Sequence, residues 1–110
     1  MDLSQKHCVP CEGGTPPLPE QDEDGYLKEL SGWSLVREGI HKLTKEIKFP
    51  TYADGVHFAD SVAALADSEN HHPDIHVYYK RVVIELHTHA VLGLSANDFI
   101  LAAKIDRINA

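Results

Sequence analysis

Five histidines fall within nineteen positions of this chain: His71, His72, His76, His87 and His89. Imidazole titrates near neutral pH, so one ring can donate a proton while a neighbour accepts one. His71 and His72 stand at the predicted exit of a helix, and His87 and His89 at the end of a predicted strand. Two elements can therefore bring these rings to one place. Three chemistries compete for them. The first is paired general acid and base catalysis. The second is a metal site, in which His87 and His89 on one side of a strand are completed by His71, His72 or His76. The third is structural, with the rings of His71 and His72 capping carbonyls at the negative end of the helix. His7, His41, His57, His76 and His87 read more simply as solvated surface.

The elements that must position these rings follow from apolar spacing. A first helix is predicted over about 20–30, with Glu20, Asp22, Glu23 and Asp24 at its positive end and Tyr26, Leu27 and Leu30 as its stripe. Trp33 to Arg37 reads as a short strand, with Trp33 as a core anchor. Glu38-Gly39 reads as a turn. From Ile40 to Phe49, Leu43, Ile47 and Phe49 alternate with polar residues, and Lys45 is the lapse. Thr51 and Asp54 have capping-box spacing ahead of a helix whose inner face is Val56, Ala59, Val62, Ala63 and Ala66. That helix should end between Asp67 and Asn70, because Pro73 discourages helical geometry at His72.

Ile75, Val77 and Tyr79 alternate, as do Val82, Ile84, Leu86 and Thr88, which predicts a hairpin turning at Lys80-Arg81. Lys-Arg is poor chemistry for a primed turn. Ser95 and Asp98 repeat the capping-box spacing before a last helix with Leu101, Ile105 and Ile108 on its apolar face. Asp98 is read here as structural. The order helix-strand-strand-helix-strand-strand-helix predicts an α+β fold: a four-stranded antiparallel sheet with three helices on one face. Its exposed edges predict a homo-oligomer. His89 has the wrong parity to face the helices if its strand stays regular, so the site is expected to open at the strand end.

Residues 8–19 hold four of the six prolines and two glycines, so residues 1–19 read as an irregular arm and 20–110 as one domain. Cys8 and Cys11 could form a redox pair or half a zinc site. No apolar strand precedes them and no further ligands are evident, which favours a mobile, reduced, non-catalytic pair. The net charge of −7 repels nucleic acid and anionic membranes. No apolar run reaches the ~20 residues of a membrane span and no secretory pattern opens the chain, so a cytoplasmic protein is expected.

Asp67, His71-His72-Pro73, Tyr79, His89 and Asp98 together resemble the pattern of pterin-4a-carbinolamine dehydratases. Gly32-Trp33, the entry Phe49-x-x-Tyr52, Thr88-His89 and the run Gly93-Leu94-Ser95-x-x-Asp98 extend it. Cys-Val-Pro-Cys-Glu-Gly-Gly is similar to bacterial members. The resemblance implies an α+β sandwich and loss of water from 4a-hydroxytetrahydrobiopterin to give quinonoid dihydropterin. It also implies a link to the aromatic amino acid hydroxylases whose spent cofactor is regenerated. The pterin is then substrate, and no cofactor or metal is implied. The family's three active-site histidines map onto His71, His72 and His89. His71 and His89 would share acid and base roles, and His72 would orient the pterin. Asp67 would support an imidazole, and Tyr79 would be core first and pterin contact second. Some animal relatives also act as dimerisation partners of a transcription factor, so a non-catalytic binding module is the remaining alternative.

Overall fold

A computed structural model describes residues 2–10 and 13–108. In chain order the helices are α1 (Glu20–Leu27), α2 (Tyr52–Glu69) and α3 (Ala96–Ile108). The strands are β1 (Ser34–Val36), β2 (Lys42–Lys48), β3 (Asp74–Tyr78) and β4 (Arg81–Leu86). The sheet order is β1-β2-β4-β3, antiparallel throughout. This is the predicted element order and sheet.

The core forms because β2 and β4 each offer one apolar parity. Leu43 and Ile47 of β2, with Val82, Ile84 and Leu86 of β4, meet Phe58, Val62 and Ala66 of α2 and Leu101 and Ile105 of α3. Each of these side chains larger than Ala66 stabilises the fold by about 1.5–3 kcal/mol on full burial. Trp33 is a core anchor as expected, and its indole N–H donates to the Asp106 carboxylate at 3.0 Å. The same carboxylate explains the lapse at Lys45, whose Nζ donates to Asp106 at 2.8 Å and to the Ser31 carbonyl at 3.0 Å. A cation of the wrong parity is thus tolerated because the end of α3 supplies its counter-charge.

Several local expectations shift. α1 stops at Leu27, and Glu23 serves burial as well as the helix dipole. Its fully buried carboxylate is paired with Arg37 and with His41 at 2.8 Å. The hairpin turns at Tyr79-Lys80, one residue earlier than predicted. Neither residue has positive φ, so the turn is unprimed, and that is why residues other than Asn and Gly suffice. Tyr79 is therefore 72% exposed at the turn and is not a core residue.

The N-terminal arm is docked on the domain. Leu3 is buried in the core, and Lys104 Nζ donates to the Ser4 carbonyl at 3.0 Å. Farther along, Leu18 N–H donates to the Leu94 carbonyl at 2.9 Å. This pairing draws Pro17 over Gly93, where a Cβ added to Gly93 would lie 2.8 Å from the Pro17 Cβ. Gly93→Ala is therefore expected to destabilise the protein by about 1–3 kcal/mol through overpacking. Chemical denaturation would measure the loss, and adding Pro17→Gly should recover part of it.

Candidate active site

α2 delivers two of the candidate residues by the way it ends. Asn70 adopts the left-handed conformation (φ 51°), its N–H donates to the Asp67 carbonyl, and His71 N–H reaches back to the Ala66 carbonyl at 3.2 Å. These paired bonds are a Schellman stop, which satisfies carbonyls that the helix leaves open. Pro73 then forbids any resumption. The imidazoles do not cap carbonyls, contrary to the structural reading of this stretch. Each pairs with a carboxylate instead.

His71 Nε2 lies 2.6 Å from Asp98 Oδ1, and the Asp98 side chain is fully buried. The other Asp98 oxygen accepts from Thr88 Oγ1 at 2.7 Å and from Ser95 N–H at 2.9 Å. Asp98 thus does cap the entry to α3, as expected. It also orients His71, which sequence reasoning assigned to no residue but Asp67. Asp67 meets His72 rather than His71, at 3.0 Å, with both side chains mostly exposed. Such an exposed pair contributes little to stability.

The end of β4 resolves the parity conflict at His89. The last strand residue is Leu86, and Thr88 is held inward by Asp98 while its N–H donates to the Gly93 carbonyl at 2.7 Å. The chain then enters a 3₁₀ turn, His89–Val91, closed by Leu92 in the left-handed conformation. His89 begins that turn and is exposed just beyond the strand end.

These pieces surround a hollow of about 400 Å³. The exit of α2 contributes Asn70, His71 and His72, and the exit of β4 contributes His87, Thr88, His89 and Ala90. Asn97 of α3 adds a carboxamide, and Val9 and Pro10 of the arm complete the lining among the described residues. The three predicted imidazoles thus share one concavity with a fourth, His87, which sequence reading left on the surface. The signal for His87 was its place two residues before His89 at a strand end. Tyr79 lies at the far end of β3 from His72 and is absent from this lining. His76 pairs with Glu85 at 2.8 Å on the open face of the sheet. Among the described residues, no three His, Cys, Asp or Glu side chains stand close enough together to hold a metal ion.

The family model described as Pterin 4 alpha carbinolamine dehydratase matches residues 16–108. The chain belongs to the pterin-4-alpha-carbinolamine dehydratase family. A Rickettsia bellii protein bearing the family's name is 47% identical over 104 residues, 94% of this chain and 91% of that protein. A Rubrobacter xylanophilus protein so named is 39% identical over 107 residues, 97% of this chain and 98% of that one. Among solved structures, a transcriptional coactivator/pterin dehydratase from Brucella melitensis superposes with a TM-score of 0.80 at 29% identity. That match covers 86% of this chain and 99% of that one. A pterin dehydratase-like protein identified as a RuBisCO assembly factor in the alpha-carboxysome gives 0.60 at 25% identity, over 71% and 89%.

Within this family member, Cys8 is half-buried and held in place, not mobile. Its thiol is pushed up to about 12 by burial, then by the nearby carboxylates of Glu69 and Asp98. A thiol so rarely ionised is neither a nucleophile nor a ready redox partner. Cys11, its proposed partner, lies outside the described residues. No helix among the described residues is long and apolar enough to cross a membrane.

Proposed function

We infer that the hollow dehydrates 4a-hydroxytetrahydropterins, giving quinonoid dihydropterin, with His71 and His89 as the acid–base pair and His72 as a binding residue. The observation that carries this reading is the convergence of these imidazoles, from the exits of α2 and β4, on one concavity in a chain of this family.

The reaction breaks the C4a–O bond, removes the proton of the neighbouring ring nitrogen and leaves a new carbon–nitrogen double bond. Hydroxide leaves poorly unless it is protonated, so one acid and one base must reach the same substrate. Asp98 accepts the Nε2 proton of His71, which leaves Nδ1 as the nitrogen able to take a proton. A buried carboxylate orienting an imidazole in this way suits the base. His89 carries no carboxylate partner among the described residues and suits the acid that protonates the departing hydroxyl. His72, loosely held by Asp67, can adjust to the pterin edge. No cofactor is required, because the pterin is itself the substrate.

The biological setting proposed is recycling of the tetrahydrobiopterin spent by aromatic amino acid hydroxylases. A homo-oligomer is proposed as well, since β3 is a sheet edge ending in exposed Val77 and Tyr78, with exposed Tyr79 in the turn beyond it. The decisive experiment follows quinonoid dihydropterin from a freshly generated 4a-hydroxytetrahydropterin. The purified protein is expected to accelerate its appearance in proportion to enzyme concentration. A rate equal to the uncatalysed one would end the reading.

A further inference from the structure

The arm preceding the family-matched region is pinned beside the hollow by two buried side chains. Val9 N–H donates to Asn97 Oδ1 at 2.9 Å, and Asn97 Nδ2 donates back to the Val9 carbonyl at 2.6 Å. One residue earlier, Cys8 N–H donates to Glu69 Oε1 at 2.9 Å, and the His7 ring meets the other Glu69 oxygen at 2.9 Å. Asn97 is only 4% exposed, and the Glu69 side chain only 8%. Burial alone would raise the Glu69 carboxyl, but the Cys8 N–H, the His7 ring and Lys104 together hold it below its ordinary value. Polar groups taken out of water in this way need well-made partners, and the arm backbone supplies them.

The anchors also lie next to the proposed chemistry. Glu69 stands two residues before His71, and Asn97 adjoins Asp98. The segments that carry the His71–Asp98 pair are therefore the ones that hold the arm. The consequence is an apolar side chain fixed in an open place. Val9 is 65% exposed, yet its N–H and carbonyl are both tied down and it lines the hollow beside Pro10. The fold gains little from so exposed a valine. Much of the remaining lining is polar, contributed by imidazoles, Thr88 and carboxamides. A flat bicyclic ligand needs hydrogen-bonding groups at its edge and apolar contact on its face.

We propose that Val9 and Pro10 form an apolar wall of the substrate site, on which the face of the pterin ring packs, held in position by Glu69 and Asn97. This inference rests on the dehydratase reading and adds a binding element from outside the region that the family model matches. The wall contacts the ring equally before and during dehydration, so it acts on substrate affinity and not on the chemical step.

The test compares full-length wild type, Val9→Asp and Val9→Gly. Steady-state dehydration gives kcat and KM, and titration with 7,8-dihydrobiopterin, which cannot react, gives a dissociation constant. Val9→Asp is expected to raise both KM and that constant about tenfold, with Val9→Gly between it and wild type. Turnover at saturation should change less than about twofold in either variant. Unchanged KM and unchanged affinity in both variants, with an active wild type, would overturn the wall and leave the dehydratase reading intact. Loss confined to kcat would overturn it too. A wild type that neither turns over nor binds the probe would overturn both.

Discussion

Replacement of His89 by alanine lowers the dehydration rate by about 100-fold or more and leaves the melting temperature unchanged. The two halves of this expectation come from different observations. His89 is exposed at the start of the 3₁₀ turn, and its ring has no partner among the described residues. The turn is closed by its backbone, since Leu92 N–H donates to the His89 carbonyl at 3.1 Å, and alanine keeps that bond. Stability should therefore be untouched. Activity should not be, because without a placed acid the departing group is hydroxide. His71→Ala provides the contrast. It too should cost about 100-fold in rate, but its melting temperature should fall, because the buried Asp98 carboxylate loses a partner. Stopped-flow absorbance of the quinonoid product and a thermal melt measure both quantities on the same samples. A His89→Ala rate within about threefold of wild type would remove this residue from the acid–base pair.

Asp98→Asn should be nearly as damaging to turnover, by about 100-fold, for a reason that lies behind the reacting atoms. Asparagine matches the shape of aspartate but presents one acceptor oxygen and one donor NH₂. Ser95 N–H can only donate, so the oxygen is needed there to cap α3. The NH₂ then faces His71 Nε2, which must become an acceptor and move its proton to Nδ1. The ring keeps its place and loses the nitrogen that was to take the substrate proton. Weakened hydrogen bonds at a buried site should also cost about 1–3 kcal/mol of stability. The two effects separate by assaying well below the unfolding transition, where a purely structural role would leave kcat near wild type. An unaltered kcat in folded Asp98→Asn would return Asp98 to helix capping alone.

Much of the fold was readable because its signals are local. Leu43, Ile47, Val82, Ile84 and Leu86 alternate, Val62 and Ala66 keep helical spacing, and Thr51 accepts from Asp54 N–H at 3.1 Å as its spacing predicted. The errors were of a different kind. Tyr79 looked like a strand residue because it continued an alternation, yet hairpin register put it in the turn. His87 looked like surface, and its parity is indeed that of the open sheet face, but that face ends at the hollow. The arm read as irregular from its prolines and glycines, and Cys8 read as part of a mobile pair. Composition carries no information about Glu69 and Asn97, 61 and 88 residues distant, that hold Cys8 and Val9.

By itself the sequence determined the order of elements, the antiparallel sheet, the end of α2, and the three histidines that carry the family pattern. The elements and the end of α2 depend on residues within a few positions of one another, through periodicity, capping or the steric effect of Pro73, whereas the three histidines were singled out by the family resemblance. Only the tertiary structure decided which carboxylate serves which imidazole. Spacing favoured Asp67 for His71, but packing α3 against the exits of α2 and β4 placed Asp98, 27 residues away, at hydrogen-bond distance and sealed it from water. Partner choice between charged groups is set by distance and desolvation, and neither exists until the chain has closed on itself.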